Sequence, residues 1–229
     1  MSGDPIERLQ QLAALGEIGA GVSHETRNLM SAILGFAQVG KRADDPDSAR
    51  RYFELIERES MRCLEILERY LQFGRADGGE PVDVDLGRAI QQIANATGHQ
   101  LAMRRIKLVV ALAAQPIVHA RCDALQQVLL NLVINAMHAT PGGGEIAIAT
   151  ARSGELVEIA VSDTGCGVPA ELRERIFEPF FTTKPSGEGT GLGLALCRRM
   201  IEAQGGTIEL DPTTASGARF VVRLPVKRW

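Results

Sequence analysis

The sequence predicts a two-part protein, in which an all-α helical hairpin precedes an α/β two-layer sandwich. Before residue 76, apolar residues recur at the three- and four-residue steps of helices. After residue 83, helical segments alternate with segments in which every second residue is apolar, as in strands. A length of 229 residues agrees with one to two domains. We therefore predict a hairpin over 1–76, a linker over 77–82 and a sandwich over 83–229.

The hairpin is predicted from two apolar stripes separated by a turn. The turn, residues 41–48, is rich in Asp and offers Asp47 or Ser48 as the N-cap of the second helix. Two long helices alone have no closed core, so a second copy is expected to complete a four-helix bundle as a homodimer. The stripes consist of Leu9, Leu12, Leu15, Ile18, Val22, Leu29, Ile33, Phe36 and Val39, and of Phe53, Ile56, Ser60, Cys63, Leu67 and Leu71.

The sandwich is predicted from helical and extended segments that follow the linker. Residues 165–193 are rich in Gly, Pro and Thr and are predicted to form a long loop. Long loops inside compact domains are usually functional. Helices are expected at 86–103, 123–140 and 192–204, and strands at 106–112, 145–151, 156–163, 207–210 and 218–224.

Composition excludes several classes of protein. The net charge of −3 argues against a nucleic-acid partner, because nucleic-acid-binding domains usually carry a basic excess. The sequence has neither a run of about 18 apolar residues nor a signal-peptide pattern, so we expect a cytoplasmic protein without a membrane span. The four cysteines form no CxxC pair and are expected to be buried and unpaired; they are Cys63, Cys122, Cys166 and Cys197.

Two amides in the second part of the chain are candidate metal ligands. Asn131 and Asn135 lie four residues apart and therefore share one face of the predicted helix. Neutral amide oxygens suit a Mg²⁺ ion whose charge is already balanced by nucleotide phosphates. The alternative is that both amides simply face solvent or cap a helix.

A carboxylate followed by two glycines ends the predicted strand 156–163. Asp163 begins the segment Asp-Thr-Gly-Cys-Gly-Val-Pro, in which Gly165 and Gly167 allow a flat ligand to approach closely. A carboxylate at this place can accept a hydrogen bond from the exocyclic amino group of adenine. The alternative is an Asx-turn that closes the strand.

A glycine-rich segment leads into the last predicted helix. Gly189, Gly191 and Gly193 stand on alternate positions, and the backbone N–H groups before a helix can bind phosphate. The segment is not a Walker A loop, which would end in Gly-Lys-Ser/Thr. It is not a Rossmann fingerprint either, because a loop precedes it and no βαβ unit frames it. Lys184 offers a positive charge to the same phosphates, or is a solvated loop lysine.

His24 is the candidate nucleophile of the hairpin. A neutral imidazole is nucleophilic near pH 7, and the neighbouring Glu25 can hold its other ring nitrogen and accept a proton. The alternative is an ordinary solvated His–Glu pair. The segment lacks the second histidine of a zinc protease, which excludes that class.

Taken in this order, the motifs resemble those of bacterial two-component sensor histidine kinases. The resemblance covers nearly the whole chain and implies a dimerisation and phosphotransfer hairpin, followed by a Bergerat-type ATP-binding sandwich. The matching segments are 15–39 (H box), 131–139 (N box), 163–169 (first glycine box), 177–184 (F box) and 187–194 (second glycine box).

The resemblance also implies a role for individual residues. His24 would be the phosphoacceptor, Glu25 the base or orienting group beside it, and Asn28 the residue that positions a water in related phosphatases. Asn135 would be the main Mg²⁺ ligand, with Asn131 on the same face. The nucleotide would be bound by Asp163, Gly165 and Gly167 at adenine, by His138, Lys184, Gly189, Thr190, Gly191, Leu192 and Gly193 near the phosphates, and by a lid over 170–188.

The implied function is an ATP-dependent protein histidine kinase that phosphorylates His24 and passes the phosphoryl group to an aspartate of a response regulator. Phosphatase activity toward that regulator is left open, because Leu29 stands where many members have a helix-bending Pro. The main alternative is a non-catalytic phosphotransfer adaptor of the same architecture. Since the two domains fill nearly all of the sequence, a separate sensory or input protein is expected.

Overall fold

A computed structural model describes residues 5–43, 45–74, 80–113, 117–184, 191–214 and 216–226. The chain divides into two compact units, Met1–Arg75 and Ala76–Trp229. Of the predicted linker, residues 77–79 lie outside the described part of the chain.

The first unit is a hairpin of two helices, as predicted. Helix α1 spans Pro5–Gly40 and helix α2 spans Pro46–Gly74. Helix α1 continues without a break through Leu29, which is buried. The side chains that the two helices bury include Val22, Leu29, Cys63 and Ile66.

The N-cap of α2 differs from the prediction. The helix begins at Pro46, so Asp47 and Ser48 lie inside its first turn. The carboxylate of Asp45 accepts a hydrogen bond from the backbone N–H of Ser48 over 2.8 Å. This is the geometry of an Asp N-cap followed by Pro at the first helical position, where the missing N–H has no cost.

Part of the predicted apolar stripe of α2 is exposed rather than buried. Phe53 is 68% exposed and Leu71 is 55% exposed. Met30, Leu34 and Leu64 are also exposed. A single hairpin therefore covers only part of its own apolar surface.

The second unit is an α/β sandwich, which confirms the predicted fold class. Its helices are α3 (Leu86–Met103), α4 (Cys122–Ala139) and α5 (Gly193–Glu202). Its strands are β1 (Val82–Asp85), β2 (Lys107–Ala111), β3 (Ile117–Ala120), β4 (Glu145–Ser153), β5 (Leu156–Asp163), β6 (Thr207–Leu210) and β7 (Arg219–Pro225).

Five of the strands form the main sheet, in the order β2-β4-β5-β7-β6. Strands β2 and β4 are parallel, and the remaining neighbours are antiparallel. One face of the sheet and the helices share the core, as the period-two pattern requires. Its fully buried side chains include Leu125, Leu129, Leu132, Ile146, Ile148, Ile159 and Leu196.

Several local predictions were wrong. Strands β1 and β3, which pair into a separate two-stranded ribbon, were not predicted, and β1 begins inside the predicted linker. The predicted long loop contains two short 3₁₀ helices, Ala170–Leu172 and Arg175–Phe177. Cys63 and Cys197 are buried as predicted, but Cys122 is only half-buried and Cys166 is exposed; all four are free thiols.

Within the described residues, the structure contains no helix that is both long enough and apolar enough to cross a membrane.

Candidate active site

A buried carboxylate lies at the end of β5. Asp163 is 6% exposed, and its Oδ1 accepts hydrogen bonds from the backbone N–H groups of Gly165 (2.8 Å) and Ala218 (3.2 Å). Burial raises the pKa of this carboxyl, and the two backbone hydrogen bonds oppose that rise. Because both hydrogen bonds fall on Oδ1, Oδ2 is the oxygen that can accept from a ligand.

Two glycines let neighbouring backbone segments pack closely around Asp163. A Cβ on Gly165 would collide with the backbone carbonyl of Ala139, at the end of α4. Gly217 has a φ of +71°, and a Cβ there would collide with the backbone carbonyl of Asp163. Neighbouring Gly167 lies against Gly217 in turn. Only glycine can therefore bring these chain segments together around the carboxylate.

The two predicted metal-ligand amides lie on one side of α4. Asn131 and Asn135 are both half-buried, so neither belongs to the closed core. A Cβ on Gly193 would lie 3.8 Å from Oδ1 of Asn131, which brings the N-terminus of α5 next to this amide. The predicted N box and the second glycine box thus meet in the folded chain.

Two predicted phosphate contacts touch each other. Nζ of Lys184 lies 2.9 Å from Nδ1 of His138, which is in the last turn of α4. The backbone N–H of Lys184 also donates to Oγ1 of Thr182 over 3.1 Å. The structure thereby joins the segment after the second 3₁₀ helix to the face of α4 that carries the amides.

The predicted F box is anchored by aromatic packing. Phe177 is buried, meets Phe220 edge to face at 6.2 Å, and carries the guanidinium of Arg198 4.0 Å from its ring centre. Gly191, with a φ of +63°, packs directly against the backbone of Phe180. The structure buries Leu192 next to this contact. Gly189 and Thr190 lie outside the described residues.

His24 is exposed on α1. Its Nδ1 lies 3.4 Å from the side-chain nitrogen of Asn28, one turn along the helix. The carboxylate of Glu25 is instead 3.4 Å from the guanidinium of Arg62 on α2. The structure therefore brings His24 and Asn28 together, whereas Glu25 contacts the second helix rather than the imidazole.

Comparisons with known proteins match both units. The model described as "His Kinase A (phospho-acceptor) domain" matches residues 14–79, and the model described as "Histidine kinase-, DNA gyrase B-, and HSP90-like ATPase" matches residues 121–228. The catalytic domain of histidine kinase ThkA is 33% identical, with a TM-score of 0.60, over 64% of this chain and 96% of that domain. The chain belongs to the histidine kinase family.

Further relatives from this family extend the match along the chain. Sensor histidine kinase ZraS of Escherichia coli O157:H7 is 37% identical over 97% of this chain and 49% of its own length. The structure of ThkA in complex with response regulator TrrA matches 96% of this chain and 64% of that one, with 30% identity and a TM-score of 0.78. The chain spans about half the length of the curated relatives it matches.

Three residues that contact Asp163 or Glu25 were missed by sequence reasoning. Gly217 and Ala218, which directly precede β7, contact Asp163 from 54 and 55 residues along the chain. Arg62 comes to Glu25 from the opposite helix. No motif spacing marks these residues, because their partners become neighbours only on folding. The signal that was present at Gly217 is a glycine directly before a strand pattern.

Proposed function

We propose that this chain is an ATP-dependent protein histidine kinase, which phosphorylates His24 and transfers the phosphoryl group to an aspartate of a response regulator. The hairpin, 1–76, would carry the phosphoacceptor, and the sandwich, 83–229, would bind the nucleotide. The observation that carries the proposal is the buried Asp163 carboxylate, held at one oxygen by Gly165 and Ala218. This geometry supports a role for the other oxygen, Oδ2, as the acceptor of a hydrogen bond from adenine.

The adenine subsite fits these residues in shape and in chemistry. An ionised carboxylate accepts hydrogen bonds only, so it matches the exocyclic amino group of adenine and not the oxygen that guanine carries there. Gly165, Gly167 and Gly217 let the backbone close around the carboxylate. Because they carry no side chains, the base could approach the carboxylate closely. We assign adenine recognition to this cluster.

The phosphate subsite is assigned to the face of α4 and the start of α5. Asn135, with Asn131 beside it, would supply amide oxygens to a Mg²⁺ ion. His138 and Lys184 would contact phosphate oxygens. The backbone N–H groups of Gly191, Leu192 and Gly193, at the start of α5, would do the same. The resemblance assigns Gly189 and Thr190 to the same role. When bound, Mg²⁺ would neutralise charge on the phosphates.

His24 would act as the nucleophile of the reaction. A nitrogen–phosphorus bond to its ring would form while the bond from the γ-phosphorus to the β-phosphate oxygen breaks, releasing ADP, and the ring proton would pass to a base. Glu25 is the candidate base. Asn28 contacts the imidazole and would orient it, or would position a water if the chain also acts as a phosphatase.

A homodimer is proposed from the surface of the hairpin. An open groove next to His24, with a volume of about 580 Å³, is lined by apolar and small residues of both helices, among them Val22, Met30 and Leu67. The hydroxyl oxygen of Thr26 in this groove is buried without a hydrogen-bond partner among the described residues. A second hairpin would cover the groove and the exposed apolar stripe.

The decisive experiment is incubation with radiolabelled ATP, followed by acid and base treatment of the labelled protein. We expect an acid-labile, base-stable label on the wild-type chain and no such label on His24→Gln. The variant should still bind a fluorescent ATP analogue, because its sandwich is unchanged. Full labelling of His24→Gln would contradict the assignment of the phosphoacceptor.

The adaptor alternative makes a different prediction in the same assay. An adaptor would bind no ATP analogue and would take phosphate only from a phosphorylated partner. The complete set of nucleotide-site residues favours the kinase. A wild-type chain that fails to bind the analogue would support the adaptor.

A further inference from the structure

A cluster of four charged residues lies where Glu25 of α1 meets α2. The guanidinium of Arg62 is 3.4 Å from the carboxylate of Glu25 and 3.6 Å from that of Glu59. Arg58 approaches the other oxygen of Glu59 at 3.3 Å. The side chains of Arg62, Glu25 and Glu59 are only 23%, 22% and 14% exposed, whereas Arg58 is 68% exposed. The Arg62 contacts are therefore shielded from solvent, unlike an ordinary surface ion pair.

Helix geometry separates Glu25 from the imidazole next to it in sequence. Consecutive residues project about 100° apart around a helix, so they do not face each other. Glu25 points toward α2, while His24 is exposed and has Asn28, one turn later, as its hydrogen-bond partner. In the described state, Glu25 makes no hydrogen bond to His24.

Arg62 is held in place independently of Glu25. Glu59 lies three residues before Arg62 on α2, where side chains of one helix meet. This intrahelical pair fixes the guanidinium at the surface of α2, so that it presents its second nitrogen to α1. Glu25 must give up this contact before its carboxylate can turn toward the imidazole.

We propose that Arg62 is a positioning residue that restrains Glu25 away from His24 and so limits the rate of autophosphorylation. The inference rests on the proposed function, in which Glu25 is the base for His24. The imidazole and Arg62 compete for one carboxylate. When the carboxylate leaves Arg62, it can accept a hydrogen bond from Nδ1–H of the ring, so that Nε2 carries the lone pair that attacks.

The variant Arg62→Met tests the restraint, because Met keeps much of the side-chain volume and removes the charge. We expect its initial rate of His24 labelling, at saturating ATP, to be roughly two- to fivefold above wild type, the size that a partly exposed ion pair supports. Arg62→Lys should stay near the wild-type rate. Arg58→Met removes a neighbouring charge that does not reach Glu25, and should leave the rate unchanged.

A double-mutant cycle with Glu25→Gln separates this role from a structural one. If Arg62 acts through Glu25, Arg62→Met should give no rate increase in the Glu25→Gln background. Arg62→Gln serves as a second neutral variant should Arg62→Met fail to fold, as judged by circular dichroism and thermal unfolding. An unchanged or lower rate in a folded neutral variant, or an increase that persists with Glu25→Gln, would overturn the proposal.

A spectroscopic measurement tests the restraint without any phosphorylation. Nitrogen-15 NMR of the His24 imidazole reports which ring nitrogen carries the proton. We expect Arg62→Met to shift His24 toward the Nδ1–H tautomer, and Arg62→Met with Glu25→Gln to restore the wild-type spectrum. If the wild-type chain takes up no phosphate from ATP but Arg62→Met shifts the His24 spectrum as expected, the kinase proposal is rejected and the restraint is kept. If the wild-type chain is phosphorylated but Arg62→Met leaves the His24 spectrum unchanged, the restraint alone is rejected.

Discussion

The two units of this chain differ in how completely each buries its own apolar surface. In the sandwich, Leu129, Ile148 and Ile159 are fully buried between the sheet and the helices. In the hairpin, Phe53 and Leu71, which belong to the predicted apolar stripe, remain exposed. From this difference we propose that the sandwich is stable by itself, whereas a second surface completes the core of the hairpin.

The candidate functional residues of the two units differ in burial as well. Asp163 is buried and fixed by two backbone hydrogen bonds, which suits selective binding of one small ligand. His24 is exposed on a helix, with a single long contact to Asn28. In the proposed function His24 meets both a nucleotide and a partner protein in turn, and such a residue has to be accessible. Each unit should therefore respond to substitutions of a different kind.

Asp163→Asn is expected to give the largest effect on the sandwich. It places an amide where an ionised acceptor would meet the adenine amino group, and losing such a charged hydrogen bond costs about 1.5–3 kcal/mol. ATP affinity, measured by isothermal titration calorimetry, should fall by about one to two orders of magnitude. The helical content of the hairpin should not change.

Asp123→Asn is the matched control for this prediction. Asp123 is an exposed carboxylate in the first turn of α4, in the same unit. Its replacement should leave ATP affinity near the wild-type value. Equal affinities for wild type and Asp163→Asn would remove the observation on which nucleotide recognition rests.

Leu67→Glu is expected to give the largest effect on the hairpin. Leu67 lines the groove beside His24, and burying a leucine contributes about 1.5–3 kcal/mol. A charge at this position should shift the chain from dimer to monomer in analytical ultracentrifugation, with self-association weakened at least about tenfold. ATP binding by the sandwich should stay the same.

The sandwich offers a control of equal exposure for Leu67. Leu67 is 37% exposed and Leu156, at the start of β5, is 38% exposed. Leu156→Glu should leave self-association unchanged, because the sandwich does not need a second copy. Two outcomes would contradict the difference between the units. One is a dimer that persists in Leu67→Glu, and the other is a dimer that Leu156→Glu weakens as much as Leu67→Glu does.

The pH dependence of ATP binding sharpens the role of Asp163. Burial raises its pKa, so the carboxyl takes up a proton at a higher pH than the ordinary value of about 4. A protonated carboxyl no longer presents the acceptor that adenine needs, so affinity should fall severalfold as the pH drops from 7 toward that raised pKa. Calorimetric titrations at several pH values measure this limb.

Stability without nucleotide should change in the opposite sense. Because the folded state raises the pKa, Asp163 contributes stability below its unfolded pKa and loses that contribution as the pH rises through the folded pKa.

Asp211, whose pKa is lowered by hydrogen bonds from Thr213, supplies the control for the pH dependence of ATP binding. In Asp211→Asn, ATP affinity should still fall as the pH is lowered. If that fall disappears in Asp211→Asn, the pH dependence does not belong to Asp163.

Much of the fold could be predicted because its long elements carry their own periodicity. The predicted range of α3 is the observed one, and β5 was predicted over 156–163 as found. Strands β1 and β3 are only four residues long, and β1 adjoins the Gly- and Pro-containing segment that was predicted to be a linker. They form because each pairs with the other across more than thirty residues. A contact of that range has no local signal.

The candidate site was predicted as far as its motifs are contiguous. Asp163 and Gly165 belong to one short segment, and folding keeps them together. Gly217 and Arg62 could not be predicted, since each acts on a residue that is distant in sequence. The contact of Lys184 with His138 was equally unforeseen, although each had been proposed separately as a phosphate contact.

Asp45→Ala is expected to give a small effect confined to the hairpin. The substitution removes the acceptor for the Ser48 N–H at the start of α2, and the loss of an Asp N-cap destabilises a helix modestly. The melting temperature of the hairpin, followed by circular dichroism at 222 nm, should fall by a few degrees at pH 7. The ATP affinity of the sandwich should not change.

Asp47→Ala distinguishes the observed cap from the one that the sequence favoured. Asp47 lies in the first turn of α2, where its carboxylate is favoured by the helix dipole, so its loss should lower the melting temperature less than Asp45→Ala. Hydrogen bonds from Ser48 lower the pKa of Asp45, so its contribution is present above its unfolded pKa of about 4 and is lost as the pH falls through the lower folded pKa. The difference between wild type and Asp45→Ala should therefore vanish in acid. A larger loss for Asp47→Ala, or a difference that persists at low pH, would mean that α2 is capped elsewhere.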